Sequence, residues 1–263
     1  MKNLKKILAA ALAICMLFCF AGCGKDTSNT LIVATNAEFE PFESLDADGN
    51  FVGYEIDLMN AIGEKLGYKV QFENMEFDGV IAAVQSNSCD VAASGLTINE
   101  KRKKSVSFTT PVYGGAAQIL IVANNDTHYT GTTKEALDEQ LKNQSIGVCS
   151  GYTGQFYAKG DAEWGFSPIE GADVKIYENV STAIADIKNG TINAIIMDDS
   201  VAKEAANANS ADVKVIDIAL TVEEYGLAVN KDNTELLEKL NTALAELKAE
   251  GKIDELLQKY ELK

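Results

Sequence analysis

The chain has 263 residues, of which 46% are hydrophobic and 24% charged, so it can bury enough core for two lobes and is neither disordered nor collagen-like. Its 39 acidic and 23 basic residues give a formal net charge of −16 at pH 7, which excludes a nucleic-acid partner because phosphates would be repelled. The single histidine, His128, lies in a polar stretch typical of a loop, which excludes a multi-histidine zinc hydrolase and argues against a Ser-His-Asp hydrolase.

The N-terminal 22 residues show the pattern of an export signal. Three lysines precede an apolar run over residues 7–20, and the run ends in the sequence FAGC at 20–23. This run is too short for an ordinary membrane-spanning helix, which needs about 20 apolar residues. Small residues before a cysteine resemble the bacterial lipobox, so we predict that Cys23 is diacylated, that 1–22 is a lipoprotein signal peptide and that 23–30 is a tether. Plain secretory cleavage near that cysteine is the alternative.

Short apolar runs alternate with segments of helical period in the rest of the chain, which predicts an α/β fold. Helices are predicted over 55–66, where Gly67 follows as a C-cap, over 181–188, and over roughly the last 30 residues with a break at Gly251. The predicted strands are LIVAT at 31–35, DVAAS at 90–94, QILIVA at 118–123, IGVCS at 146–150, NAIIM at 193–197 and YGLAV at 225–229.

Aromatic residues stand close to two of these runs, in positions where open α/β sheets bind ligands. Phe39 lies in the segment TNAEFEPFE after the first run, and Phe77 precedes a helix that is predicted to begin around Asp78-Gly79. Packing in the core is the alternative interpretation for both rings.

A turn of small residues, Ser94, Gly95 and Thr97, leads within a few positions to Arg102, the one arginine of the chain. A guanidinium presents a planar pair of donors that matches a carboxylate, and lysine cannot replace it at such a bidentate site. Every other basic residue is a lysine, so an arginine here indicates a carboxylate-binding role. A solvated charge run, KRKK, is the alternative.

Two further segments offer an anion-binding turn and a carboxylate. The sequence GYTG, which includes Thr153 and Gly154, stands between a predicted strand and a predicted helix, where backbone amides can bind an anion. It lacks the glycine patterns of dinucleotide and ATP sites, so no cofactor is predicted. Asp198 ends a buried-looking strand, where it can pair with an ammonium group or cap the next helix. These residues could bind an α-amino acid through an arginine with backbone amides, an aspartate and two aromatic rings. We predict no metal ligand and no catalytic residue.

The sequence GYEIDLMNAIGEKL at 53–66 resembles the signature of the bacterial extracellular solute-binding proteins of family 3, the receptors of polar amino acid ABC importers. Supporting segments are FEPFE, SGLTINEKRKKSVSFTTPVY, SGYTG, NAIIMD and the C-terminal region from YGLAV onward, so the resemblance covers nearly the whole mature chain. It implies a two-lobed, periplasmic-binding-protein-like α/β fold with two crossover hinge strands. The implied boundaries are 30–112 plus 225–263 for lobe 1, 117–221 for lobe 2, and about 112–116 and 222–226 for the hinges.

The resemblance also implies which residues bind the two charged groups of the ligand. Arg102 would bind the α-carboxylate, assisted by the amides of Thr97 and Gly154. The Gly95 carbonyl, the Thr97 hydroxyl and Asp198 would bind the α-ammonium. The full predicted ligand-binding set is Phe39, Phe77, Ser94, Gly95, Thr97, Arg102, Thr153, Gly154 and Asp198.

The side chain of the ligand would lie between Phe39 and Phe77. Three positions depart from residues that are common in the family and are candidate specificity residues. Asn36 replaces an aspartate found in many binders of cationic or amide side chains, Tyr152 replaces a small residue, and Cys149 replaces a lysine or glutamine. Asn36, together with the weaker cation–π platform that Phe77 offers relative to tryptophan, favours a neutral polar amino acid.

The implied protein is a monomeric, non-catalytic receptor that delivers an amino acid to an ABC permease. A lipid anchor alone would hold it on the outer face of the cytoplasmic membrane of a bacterium. The alternative is an enzyme on the same fold, a dehydratase of a cyclic carboxylic acid, for which Glu38, Glu40 or Asp78 would supply the general acid. A sensor domain is a third option, which the lack of a following transmembrane segment disfavours. Cys89 and Cys149 fall in different lobes, so no disulfide is predicted between them.

Overall fold

The computed structural model describes residues 29–263. The predicted signal peptide and Cys23 lie outside the described residues. Residues Leu31–Lys263 form one compact unit. No helix in this described part is long and apolar enough to cross a membrane.

Strands and helices alternate along the described chain, which confirms the predicted α/β class. The strands are β1 (Thr30–Thr35), β2 (Glu38–Phe39), β3 (Glu43–Leu45), β4 (Phe51–Val52), β5 (Lys69–Asn74), β6 (Val91–Ala92), β7 (Val106–Phe108), β8 (Tyr113–Ala116), β9 (Gln118–Ala123), β10 (Ser145–Cys149), β11 (Asp173–Tyr177), β12 (Ala194–Asp198), β13 (Val213–Ile216), β14 (Glu223–Tyr225) and β15 (Ala228–Asn230). The helices are α1 (Tyr54–Leu66), α2 (Phe77–Gln85), α3 (Glu100–Lys103), α4 (Lys134–Leu141), α5 (Thr153–Lys159), α6 (Val180–Lys188), α7 (Asp199–Ala208), α8 (Thr234–Ala249) and α9 (Lys252–Lys259).

Two five-stranded sheets form the centres of two lobes. In lobe 1 the strand order is β5-β1-β6-β15-β7, with β1 parallel to β6 and β15 antiparallel to both β6 and β7. In lobe 2 the order is β11-β10-β12-β9-β13, with β10 parallel to β11 and β12, and β9 antiparallel to β12 and β13. Segments that follow β1, β6, β10 and β12 carry the predicted site residues, as expected for the carboxyl ends of strands in such sheets.

Helices α1, α8 and α9 pack together in lobe 1. Apolar residues at steps of three and four place Met59 and Ile62 of α1 and Leu240 and Leu244 of α8 in the core. Glycines mark two helix boundaries where the sequence predicts them. Gly67 is the left-handed C-cap of α1, and Gly251, with φ +78°, separates α8 from α9.

The chain passes from lobe 1 to lobe 2 through β8 and returns through β14. These two strands pair antiparallel, with Tyr225 opposite Tyr113 and Glu223 opposite Ala116. The predicted hinge segments, 112–116 and 222–226, fall on this ladder; that the lobes rotate about it stays a prediction.

One predicted strand is wrong. The run YGLAV at 225–229 is divided, because Tyr225 pairs with Tyr113 in the ladder between the lobes whereas Ala228 pairs with Ala92 in the lobe 1 sheet. Hydrophobicity alone cannot distinguish one five-residue strand from two shorter ones that serve different sheets. Cys89 and Cys149 are both free and buried.

Candidate functional site

A small cavity, with about 10 Å³ of space accessible to a water-sized sphere, lies where segments of the two lobes meet. Every residue that lines it belongs to the set predicted from sequence as ligand-binding or specificity residues. That they bind a ligand stays a prediction. The lining residues are Phe39, Phe77, Gly95, Thr97 and Arg102 from lobe 1, and Tyr152, Thr153 and Asp198 from lobe 2.

Arg102 is held in the cavity wall by short-range contacts. It lies in the four-residue helix α3, and the side chain of the N-cap Asn99 accepts a hydrogen bond of 2.8 Å from its backbone N–H. The guanidinium donates to the carbonyls of Thr97, at 3.1 Å, and of Gly151, at 3.2 Å. These two carbonyls belong to different lobes, so Arg102 links lobe 1 to lobe 2.

The Arg102 guanidinium is a buried cation that forms no salt bridge with any described residue. Its Cζ lies 5.4 Å from the ring centre of Phe77 and 5.0 Å from that of Trp164, so aromatic faces cover much of the charge. Burial lowers the pKa of Arg102 to about 10, against the opposing influence of Glu223 and Asp198. A buried cation without a directly paired anion is costly, and a bound carboxylate would supply that partner.

Asp198 is the carboxylate of the cavity wall. It is the last residue of β12, and its Oδ1 accepts a hydrogen bond of 2.6 Å from the Tyr225 hydroxyl. Asp198 also stands at the N-cap position of α7, as the alternative interpretation predicts, but its side chain makes no capping hydrogen bond. Burial, and next the neighbouring Glu223, raise the pKa of Asp198 to about 7.

Glu223, which the sequence analysis did not single out, lies directly behind the cavity in β14. Its Oε2 accepts hydrogen bonds of 2.8 Å from the hydroxyls of both Thr97 and Thr153, which belong to different lobes. Its Oε1 accepts from Thr221, at 2.6 Å, and from Gln118, at 3.1 Å. One carboxylate in the strand between the lobes therefore orients a cavity hydroxyl from each lobe.

The sequence contained a weak signal for these residues. Glu223 and Tyr225 stand immediately before or within the run YGLAV, so an alternating acidic and aromatic pattern at the predicted hinge could have marked them. Trp164, the one tryptophan, had no neighbouring motif that pointed to Arg102. Its contact arises only when the loop before β11 of lobe 2 reaches α3 of lobe 1.

Buried polar groups of lobe 1 support the turn at Ser94 and Gly95. The Gly95 N–H donates to Glu55 at 3.2 Å, and the Asn36 N–H donates to the Ser94 hydroxyl at 3.0 Å. Gly95 has φ +52°, and a Cβ there would lie 2.5 Å from the ring of Phe39. Only glycine allows this ring to approach the turn so closely. Ser94 itself supports the wall and does not line the cavity.

Tyr152 joins the two aromatic residues of lobe 1. Its ring centre lies 4.5 Å from that of Phe77 and 5.6 Å from that of Phe39. Its hydroxyl donates to Asn36 Oδ1 at 3.1 Å, and the Asn36 amide donates in turn to the Met75 carbonyl at 3.0 Å. The tyrosine ring thus contacts the region between the two phenylalanines, where the ligand side chain is predicted to lie.

Gly154 and Cys149, like Ser94 and Asn36, belong to the predicted set and do not line the cavity. A Cβ at Gly154 would lie 2.6 Å from the carbonyl oxygen of Ile196, so this glycine permits the close packing of α5 on β12. The Cys149 thiol lies 4.0 Å from the sulfur of Met197, and burial raises its pKa to about 12. It is therefore a core thiol that stays protonated at neutral pH.

The three carboxylates considered for an enzyme lie outside the cavity. Glu38 and Glu40 are exposed, and Asp78 accepts a hydrogen bond of 2.7 Å from Ser150 of lobe 2. Within residues 29–263, no group of three or more His, Cys, Asp or Glu residues could hold a metal ion.

Charged residues of the two lobes pair at the rim, next to Arg102. Lys101 lies 2.7 Å from Asp161, and Lys104 lies 2.5 Å from Glu163. The ring of Trp164, which follows in the same loop, stacks on Phe156 at 4.5 Å. We call Lys101, Lys104, Asp161, Glu163 and Trp164 the rim clasp.

The profile of the bacterial extracellular solute-binding proteins, family 3, matches residues 31–263. Similar proteins include a probable histidine-binding protein of Neisseria gonorrhoeae, 32% identical over 98% of this chain and 96% of that protein. Another is ABC transporter arginine-binding protein 1 of Escherichia coli strain K12, 33% identical over 94% of this chain and 95% of that protein.

Solved structures of two-lobed binding proteins have the same fold. An ancestral arginine-binding protein bound to arginine matches with a TM-score of 0.78 and 39% identity, over 89% of this chain and 99% of that one. The ancestral amino acid-binding protein AncCDT-1, a precursor of cyclohexadienyl dehydratase, matches with a TM-score of 0.75 and 32% identity, over 89% and 95%. The predicted two-lobed α/β fold is confirmed.

Proposed function

Because this chain belongs to the bacterial extracellular solute-binding proteins, family 3, we propose that it captures an L-amino acid between its lobes and delivers it to an ABC-type importer. The observation that carries the proposal is the pair of opposite charges on one cavity. Arg102 is a buried cation without a salt-bridge partner among the described residues, and Asp198 is a buried carboxylate on the facing lobe. A zwitterion satisfies both groups at once.

Each end of the zwitterion has a defined partner in this proposal. The α-carboxylate binds the guanidinium of Arg102, with two further donors, the amide of Thr97 in the cavity wall and the amide of Gly154, which follows the lining residue Thr153. The α-ammonium binds Asp198, the Gly95 carbonyl and the Thr97 hydroxyl. Relatives whose names specify histidine or arginine binding support an amino acid as the ligand class.

A non-catalytic receptor fits the cavity better than an enzyme does. A dehydratase needs a general acid aimed at its substrate, and Asp198 is the one carboxylate among the described residues that line the cavity. A carboxylate engaged with an α-ammonium cannot also protonate a leaving group. The similarity to AncCDT-1 keeps the enzyme as the second candidate, since that protein is a precursor of a dehydratase.

Ligand-dependent stability tests the receptor function. The purified chain, stripped of co-purified ligand by unfolding and refolding, is heated with each of the twenty amino acids and with cyclic carboxylic acids. A ligand at 100 times its Kd adds about 2.7 kcal/mol to the free energy of unfolding. Stabilisation by amino acids supports the receptor; stabilisation by a cyclic carboxylic acid alone, followed by its turnover, would support the enzyme.

We also propose that Cys23 carries a lipid that holds a monomeric protein on the outer face of the bacterial cytoplasmic membrane. The sequence FAGC at 20–23 supports this anchor. Cys23→Ala is expected to release the protein from the membrane fraction into the medium. A Cys15→Ala variant, altered within the predicted signal, is the matched control and should stay with the membrane. Membrane retention of the Cys23 variant would contradict lipidation.

A further inference from the structure

The cavity is small for a ligand site. Only about 10 Å³ of it is accessible to a water-sized sphere, far below the range of roughly 300–1,000 Å³ that is usual for ligand pockets. That volume has room for about one water molecule. The cavity walls therefore lie close together, and a ligand with a long side chain would displace more of the lining residues than a ligand with a short one.

Tyr152 takes up the space that would otherwise lie between the aromatic residues of lobe 1. Its ring is 7% exposed and contacts both Phe77 and Phe39. A side chain that enters between these two phenylalanines from the cavity would meet the tyrosine ring first.

The position of Tyr152 is determined by a chain of hydrogen bonds rather than by packing alone. Its hydroxyl donates to Asn36 Oδ1 at 3.1 Å. Asn36 is itself held by its amide, which donates to the Met75 carbonyl at 3.0 Å, and by its N–H, which donates to Ser94 at 3.0 Å. Moving the tyrosine out of the cavity would break this bond between lobes and leave buried polar atoms unpaired.

We propose that Tyr152 is the residue that determines ligand size, and that the protein takes an L-amino acid with a small neutral side chain, such as alanine, serine or threonine. This proposal rests on the proposed function, because it presupposes a zwitterion held by Arg102 and Asp198. It separates this chain from relatives whose names specify arginine or histidine.

The surroundings of the predicted side-chain position agree with a neutral group. Two aromatic faces and one hydroxyl border it, and burial raises the pKa of Tyr152, so the hydroxyl stays neutral. Asn36, which anchors that hydroxyl, is an amide and adds no charge. A cationic side chain would have no carboxylate partner beyond the Asp198 that the ammonium already uses.

Titration calorimetry with L-alanine, L-serine, L-threonine, L-glutamine and L-arginine tests this assignment on the stripped wild-type chain, on Tyr152→Ala and on Tyr152→Phe. Wild type should bind the first three at least about tenfold more tightly than glutamine or arginine. Tyr152→Ala should improve glutamine binding relative to alanine binding by at least about tenfold, because the ring volume becomes free. Tyr152→Phe keeps the ring and should keep the wild-type order of ligands.

The outcomes separate this proposal from the receptor function. If wild type binds arginine or glutamine as tightly as alanine, or if Tyr152→Ala leaves the ligand order unchanged, Tyr152 does not set ligand size although the receptor function stands. If wild type binds none of the twenty amino acids, the receptor function itself fails. Should Tyr152→Ala not fold, judged by its thermal unfolding without ligand, Tyr152→Leu replaces it, and the wild-type order still decides.

Discussion

Burying the charged guanidinium of Arg102 costs free energy, and a bound anion would offset this cost. This side chain is buried between aromatic rings, and among the described residues the carbonyl oxygens of Thr97 and Gly151 accept the hydrogen bonds of its guanidinium. Carbonyls do not neutralise the charge, and Glu223 and Asp198 only partly offset the cost of burying it, so the ligand-free protein keeps a cation without a salt-bridge partner among the described residues in a poorly solvated place. Ligand affinity and stability of the empty protein should therefore respond to this residue in opposite directions.

We expect Arg102→Met to weaken amino acid binding by at least about 30-fold, since removing one partner of a buried charge pair costs roughly 2 to 5 kcal/mol. The free energy of unfolding of the ligand-free protein should stay equal or rise, because a buried charge is removed. Calorimetry measures the first effect and urea unfolding the second. Arg102→Lys, which keeps the charge but not the planar fork, should also bind weakly. Retained affinity with lost stability would mean that Arg102 has a structural role.

Asp198 makes binding depend on pH. An ordinary aspartate has a pKa near 3.8, whereas burial raises that of Asp198 to about 7. The empty site therefore holds a proton on Asp198 below about pH 7, and an α-ammonium can bind only after this proton leaves. Above about pH 7 the carboxylate is already charged and no proton is released.

Affinity should thus fall by up to about tenfold for each pH unit from about pH 7 to about pH 5, and stay level from about pH 7 to about pH 8. Calorimetry in two buffers of different ionisation enthalpy would detect the released proton at about pH 6. Asp198→Asn should bind more weakly and lose this pH dependence. A wild-type affinity that is level across the whole range would contradict the contact between Asp198 and the ammonium.

At the scale of elements, the rim clasp joins α3 of lobe 1 to the loop that contains Asp161 and Glu163 of lobe 2. Both ion pairs are partly exposed, so each contributes only about 0.2–1 kcal/mol and is screened by salt. These contacts can form only when the lobes are together. They therefore stabilise the closed arrangement without contributing to the fold of either lobe.

We expect the double variant Lys101→Ala, Lys104→Ala to bind its amino acid about two- to tenfold more weakly than wild type, with little change in thermal unfolding. Fluorescence of Trp164, the single tryptophan, gives an independent measure of closure because the Arg102 guanidinium of lobe 1 lies 5.0 Å from the centre of its ring. Lys239→Ala is the matched control, since Lys239 pairs with Glu235 within one helix of lobe 1. If Lys239→Ala lost the same amount of affinity, the weaker binding of the double variant could not be attributed to the rim clasp.

The elements show where sequence reasoning succeeds. Strand β9 has the bounds that its apolar run predicts, and Gly251 separates the last two helices, because hydrophobic period and glycine conformation are local properties. All eight residues on the cavity wall were also in the predicted set, because they follow strand ends or match a family motif. Glu223 and Trp164 were missed because their roles depend on contacts between lobes that no local pattern encodes.

At the scale of the molecule, the negative net charge and the buried carboxylic acids both affect how the free energy of unfolding depends on pH. Glu43 and Glu55 are fully buried in lobe 1, where burial raises both pKa values, that of Glu55 to about 7. The formal charge of −16 adds repulsion that protonation relieves. Exposed, ion-paired carboxylates such as Asp161 have lowered pKa values. Their contribution to the free energy of unfolding is therefore lost only when the pH falls below about 4, the ordinary pKa of such a group.

Between about pH 5 and pH 7 the folded protein holds protons on these buried acids that the unfolded chain, with ordinary pKa values near 4.5, has released. The free energy of unfolding of the ligand-free protein should therefore rise as the pH is lowered from about 8 to about 5. Glu55 alone contributes on the order of 3 kcal/mol to this rise, from its pKa change of 4.5 to about 7. Urea unfolding at several pH values measures it. Glu55→Gln should make this rise smaller by that amount, because its amide can be buried uncharged at every pH, and should leave the part due to Glu43 and Asp198. Glu235→Gln, at an exposed position on α8, should leave the profile unchanged. A wild-type stability that falls steadily as the solution is acidified over this range would contradict protonated Glu55 in the folded state.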